Sequence, residues 1–178
     1  MKKALLFFFG LILVHNLYSQ KFGYVDTNFI LSKMPEYNQA QQEIDKLSLA
    51  WQDEIQDMYK ELEAMYSSLQ AEDVLLTKEM KDERQALIQK RESEITEYQK
   101  KVFGFDGLFF LKKKELVKPV QDKVFEAVGK VAKEHRLQFV FDKSGEMVMI
   151  YTDPIHDYTD YVLESLGLGD PNDVISEN

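Results

Sequence analysis

Cysteine is absent from the 178 residues. Thiol nucleophiles, thiolate metal sites, disulfides and lipid attachment to a thiol are therefore all excluded. Histidine is nearly as scarce, with three in the chain. His15 lies in the N-terminal apolar segment, which leaves His135 and His156 far apart in sequence. His135 stands beside Arg136 at an expected helix end, where a polar or cationic side chain suits the helix dipole. Asp153, His156, Asp157 and Asp160 match no dedicated metal spacing, and Asp157 serves better as a helix cap. Glycine numbers only eight. Gly104 and Gly107 precede no Lys-Ser or Lys-Thr pair, so they do not make a phosphate loop. Paired carboxylates are plentiful, but they lie on expected solvated helix faces. No catalytic set, cofactor or metal site is expected.

A basic stripe is also missing. Twenty-two Lys and Arg stand against 31 Asp and Glu, for a formal charge of −9, and nucleic-acid binding needs clustered cations for phosphate contacts. Long apolar runs are limited to Ala4–Val14, about half of the roughly 20 residues that span a bilayer. With Lys2 and Lys3 before it and a polar stretch, His15 to Ser19, after it, this segment reads as a cleavable export signal covering residues 1–19. Its removal would take the formal charge to −11 and leave no integral membrane segment in the mature chain.

Proline and glycine are both absent between Glu36 and Val102. Within that stretch Ile44, Leu47, Trp51, Ile55, Met58, Leu62, Met65 and Leu69 recur at spacings of three and four, the period of a helix with a coiled-coil seam. The returning segment carries Met80, Arg84, Leu87 or Ile88, Arg91, Ile95, Tyr98, Val102 and Phe105. Laid antiparallel, Leu47 meets Val102, Trp51 meets Tyr98, Ile55 meets Ile95, Leu62 meets Leu87 or Ile88, and Leu69 meets Met80. One fold point near Val74 and Leu75 satisfies every pair. Residues 36–103 are therefore expected to form a two-helix hairpin arm with its tip near 72–77 and Thr77 capping the return helix.

The remainder, residues 20–35 and 104–168, is expected to form a small body. Strands are expected at 22–27, 137–141 and 147–151, the last two as a hairpin turning at Asp142-Lys143-Ser144-Gly145. Helices are expected at 119–134, opened by Pro119, and at 157–166, with a disordered tail at 169–178. The fold class is thus α+β and mostly helical. About ninety residues make a thin core, so self-association is an expected source of further burial.

This order of parts resembles the OmpH/Skp family of periplasmic chaperones. The resemblance rests on Phe22-Gly-Tyr-Val-Asp, Met34-Pro-Glu-Tyr, Val117-Lys-Pro-Val-Gln, Phe139-Val-Phe-Asp-Lys-Ser-Gly and Tyr158-Thr-Asp-Tyr-Val-Leu, and it spans about residues 21–168. It implies a jellyfish-like homotrimer that shields unfolded outer-membrane β-barrel proteins in the periplasm without ATP. The family's best-known member is basic and attracts acidic clients and lipopolysaccharide; this chain is acidic, which sets its overall charge against both. A non-catalytic coiled-coil spacer or adaptor of the cell envelope is the competing expectation.

A holding chaperone needs adaptable apolar surface more than chemistry. Tyr59 and Tyr66 flank the seam and widen its apolar stripe. Met58 and Met65 are flexible and polarizable, and Val74, Leu75 and Leu76 form an apolar tip. These seven residues are the expected client contacts.

Overall fold

The computed structural model describes residues 20–145 and 148–169. The expected export signal and all but Gly169 of the expected tail lie outside that range. The elements run β1 (Phe22–Val25), α1 (Thr27–Lys33), α2 (Pro35–Glu72), α3 (Lys78–Phe103), α4 (Leu108–Glu134), β2 (Phe139–Asp142), a 3-10 turn (Pro154–His156) and α5 (Thr159–Ser165). They group into two compact units, one of residues 28–125 and one joining the chain up to Thr27 with the chain from Glu126 onward.

The larger unit is helical. α2 opens with Pro35 in its first turn, where the missing N–H has no partner to lose. Its 38 residues reach about 57 Å at 1.5 Å per residue. The turn Asp73–Leu76 reverses the chain, and Thr77 caps α3 by accepting from the Met80 N–H at 3.4 Å. α2 and α3 then pack side by side, with Leu62, Ile88 and Ile95 forming one buried cluster and Met58, Met65 and Leu69 packed against it. Ile55 and Val102 are buried as well. Of the two residues offered opposite Leu62, the seam takes Ile88 and leaves Leu87 half exposed.

A second cluster lies in the first part of α2, where Ala40 and Ile44 bury against Val117 of α4, with Tyr37, Phe109 and Leu116 around them. This explains two departures from expectation. α4 starts at Leu108, eleven residues before Pro119, which lies inside the helix. An interior proline loses one hydrogen bond and disfavours the helix by about 3 kcal/mol. Buried side chains on both sides of it, Val117, Val120, Val124, Ala127 and Val131, offset that loss at roughly 1–3 kcal/mol each. The same packing groups residues 104–125 with the two arm helices, whereas the sequence pattern assigned them to the body.

The smaller unit holds a two-stranded sheet. The expected antiparallel hairpin of 137–141 with 147–151 is not formed: β2 pairs in parallel with β1, Phe22 opposite Phe139 through Val25 opposite Asp142, and 148–151 are not strand. The side chain of Asp142 accounts for the difference. Its carboxylate accepts from the Thr27 N–H at 3.2 Å and hydroxyl at 2.6 Å, and from the Ser144 N–H at 3.0 Å and hydroxyl at 2.7 Å. The Lys143 N–H donates to the Val25 carbonyl at 2.8 Å. The chain leaving β2 is thereby fastened to β1 before it can turn back. Burial pushes the Asp142 carboxyl up, but the Thr27 and Ser144 hydrogen bonds outweigh it and hold it below the usual range.

On the other side of β1, the Tyr158 N–H donates to the Tyr24 carbonyl at 2.9 Å. Gly23 makes this approach possible, because a Cβ there would stand 2.3 Å from the Tyr158 ring. Asp157 accepts from the Thr159 N–H at 2.9 Å, and α5 runs over 159–165 within the expected 157–166. Val162 and Leu163 bury its inner face.

The seam register generates a stability prediction. Ile95→Ala, at a position 1% exposed, should destabilise the helical unit by about 3 kcal/mol through lost burial and a residual cavity. Leu87→Ala, half exposed, should cost less than about 0.5 kcal/mol. Urea denaturation followed by circular dichroism checks both, and equal losses would place Leu87 in the seam.

Candidate client-binding surface

The seven expected contact residues separate into three groups. Met58 and Met65 are half-buried and pack against the Leu62–Ile88–Ile95 cluster, so their thioethers mainly fill the seam. Tyr59 and Tyr66 each keep 47% of their surface exposed. At the turn, Val74 and Leu75 are 90% and 80% exposed, while Leu76 is partly covered. Tyr59, Tyr66, Val74 and Leu75 are thus the accessible apolar members, joined by Leu87, the alternative to Ile88 that the seam leaves outside.

Among the expected seam residues, Leu47, Trp51, Leu69 and Tyr98 are half-buried, alongside the buried Ile55, Leu62, Ile88, Ile95 and Val102. Trp51 meets the Phe103 ring edge-on at 6.3 Å. Tyr98 turns its hydroxyl outward to the Glu54 carboxylate. A shallow groove of about 370 Å³ runs between the two helices, lined by Ala64, Met65, Ser68, Arg84, Leu87 and Ile88.

Polar cross-links flank the seam, and sequence reasoning missed them. Tyr66 donates to Glu92 at 2.7 Å, Arg91 pairs with Glu61, and Arg84 pairs with Glu72 at 2.7 Å. Lys81 pairs with Asp73 at 2.7 Å beside the turn. The signal was available: Arg84 and Arg91 fall on the seam period, yet a guanidinium cannot be buried unpaired, so each must reach across to a carboxylate on α2. The Tyr66 hydroxyl is thereby tethered while its ring stays exposed.

The smaller unit carries a different apolar surface. An open cleft of about 460 Å³ is lined mainly by Phe22, Tyr24, Phe141, Met149, Tyr151 and His156. Phe139, Ile150 and Tyr151 are 56%, 97% and 83% exposed. The Phe22 and His156 rings stack tilted at 4.7 Å, and His135 lies between Tyr158 and Tyr161 at 5.1 and 4.5 Å. Both histidines thus have ordinary packing roles. Among the described residues no group of three or more acidic or imidazole side chains is placed to hold a metal ion, and no helix is long and apolar enough to cross a membrane.

The Tyr98 geometry yields a pH prediction. The hydrogen bond to Glu54, with burial adding to it, pushes the Tyr98 phenol from 10.0 up to about 12. Its neutral form is the one that donates. The stabilisation is therefore complete below the unfolded value near 10 and lost as pH rises through about 12. Tyr98→Phe should remove that component, so helix melting between pH 10 and 12 should depend less steeply on pH than in the wild type. An unchanged slope would show that the bond contributes nothing in solution.

Comparison with known proteins agrees with this architecture. A protein of Aquifex aeolicus (strain VF5) with no characterised role is 32% identical over 149 residues, covering 84% of this chain and 87% of its own. The crystal structure of a candidate OmpH-like outer membrane chaperone from Caulobacter crescentus CB15 superposes with a TM-score of 0.64 at 12% identity, over 86% of this chain and 87% of the other, and so shares the fold. The family model for OmpH-like outer membrane proteins matches residues 21–166, and the chain belongs to that family.

Proposed function

We propose that this protein is an ATP-independent periplasmic holding chaperone, exported by a cleaved N-terminal signal, that shields unfolded outer-membrane β-barrel proteins in transit. The observation that carries this reading is the apolar flank and turn of the helical pair, where Tyr59, Tyr66, Val74, Leu75 and Leu87 stay exposed beside a seam already filled. Side chains left out of a complete seam offer contact to something else. Membership of the OmpH-like family supports a chaperone role.

Apolar contact, more than charge, is the proposed means of capture. Residues 36–76 hold ten acidic side chains against Lys46 and Lys60, so α2 repels acidic segments. Charge attraction is screened over about 8 Å at physiological salt, whereas apolar burial is not weakened in that way. The protein acts in this reading as a homotrimer. Support comes from the outer edge of β2, which pairs with nothing among the described residues, and from the exposed Phe139, Ile150 and Tyr151 beside it. An open edge with apolar neighbours is a template for another strand.

The test is light scattering of an unfolded outer-membrane β-barrel protein diluted from urea, with no nucleotide present. The chain should suppress aggregation at a molar ratio near one trimer per client, with less than about twofold change between low and physiological salt. Tyr59→Ser with Tyr66→Ser should weaken protection several-fold while leaving helicity intact. No protection by the wild type, with its fold intact, would favour a spacer role instead. Protection that collapses with salt and ignores the tyrosines would make capture electrostatic.

A further inference from the structure

A chain without cysteine leaves methionine as its softest oxidisable side chain, and the methionines divide by position. Met34 is 2% exposed and closed to solvent. Met80, in the first turn of α3, is 45% exposed and stands outside the seam cluster. Met149 lines the cleft of the smaller unit, and Met1 and Met147 lie outside the described residues. Met58 and Met65 belong to neither extreme.

These two stand one heptad apart on α2, four residues before Leu62 and three after it, and both pack against the buried Leu62–Ile88–Ile95 cluster. Each is nonetheless only half-buried. Met65 also forms part of the wall of the groove of about 370 Å³ between the helices, so a small solute reaches it without parting them. The same two thioethers are therefore open to a reagent on one side and press on the seam on the other. A leucine at either place would fill the seam without offering a sulfur lone pair.

A hydroperoxide oxidises a thioether by two electrons. A lone pair on Sδ attacks one peroxide oxygen, the O–O bond breaks, and the proton on the transferred oxygen passes to the departing one, which leaves as water. Sulfur is oxidised, the peroxide is reduced, and no other reactant is needed. The product replaces a flexible apolar group with a polar one. Leu62, Ile88 and Ile95 offer its oxygen no side-chain donor, and a polar group held against apolar surface without a hydrogen bond is disfavoured. Ser68 and Arg84, the polar groups that share the groove with Met65, are already engaged with Glu72 at 2.8 and 2.7 Å. Water can satisfy the sulfoxide, but turning to water means leaving the cluster. We infer that Met58 and Met65 are an oxidation-sensitive fastening of the α2–α3 pair, whose conversion to sulfoxide loosens the seam and uncovers Leu62, Ile88 and Ile95. The inference goes beyond the holding function, and its readouts involve no client.

The test treats the purified protein with hydrogen peroxide and reads the sulfoxide content at each methionine by peptide mass spectrometry. Met58, Met65 and Met80 should be oxidised while Met34 is spared. The melting midpoint of the helical circular dichroism signal should fall by roughly 5–10 °C. Fluorescence of an apolar dye should rise at least about twofold as buried side chains open to it. Met58→Leu combined with Met65→Leu conserves volume, so that chain should fold and lose most of the peroxide response, whereas Met80→Leu should keep it. Reduction of the oxidised wild type by the two methionine sulfoxide reductases, one for each epimer, should restore its midpoint and gives a measure that needs no variant. An unchanged midpoint with Met58 and Met65 oxidised would overturn the proposal, as would protection of both while Met80 is consumed. So would an equal response in the double leucine chain, a response lost in Met80→Leu, or a midpoint that stays low after the sulfoxides at 58 and 65 are reduced.

Discussion

The antiparallel seam of α2 and α3 is the interaction on which the helical unit depends. Leu62, Ile88 and Ile95 are almost completely removed from water, and at roughly 1.5–3 kcal/mol each they hold together two helices that would be marginal alone. An isolated helix gains little from propensity, and tertiary burial of one face supplies most of its stability. Met58, Met65 and Leu69 fill in around them, and the seam closes without the side chains that flank it. What is left over, the rings of Tyr59 and Tyr66 and the side chain of Leu87, becomes available for other contacts.

The polar cross-links define the limits of that surface. Arg84 and Arg91 stand on the seam period but send their guanidinium groups outward to Glu72 and Glu61, closing the seam edges without a buried charge. Exposed pairs of this kind contribute about 0–1 kcal/mol each, so their effect lies in register more than in stability. They also neutralise part of the carboxylate excess on α2, leaving the apolar flank bordered by charges that are mostly spoken for.

How much was legible follows from how local each determinant is. The hairpin could be read because its signal is a period repeated over dozens of residues, with no proline or glycine to interrupt it and a single fold point that satisfies every pair. Thr77 as a cap is equally local. Pro119 misled, since its usual meaning is a helix start, and only the long-range packing of Val117 on Ala40 and Ile44 makes an interior position tolerable. The parallel pairing of β1 with β2 was hidden for a related reason. A turn sequence at 142–145 between two apolar runs favours a hairpin, and nothing in those residues reveals that Thr27, more than a hundred positions earlier, binds the Asp142 carboxylate. At the candidate surface, exposure of the two tyrosines followed from spacing, while the methionines' inward packing depended on side-chain shape that a period does not encode.

The central claim is that unfolded clients rest on the exposed apolar flank and turn of the α2–α3 pair. Site-specific photo-crosslinking measures this most directly, with a photoreactive amino acid placed singly at Tyr59, Leu75, Glu43 and Phe139 and an unfolded outer-membrane β-barrel protein as client. The account predicts strong adducts from Tyr59 and Leu75 and weak ones from Glu43 and Phe139. Adducts concentrated at Phe139, with none from Tyr59 or Leu75, would contradict it.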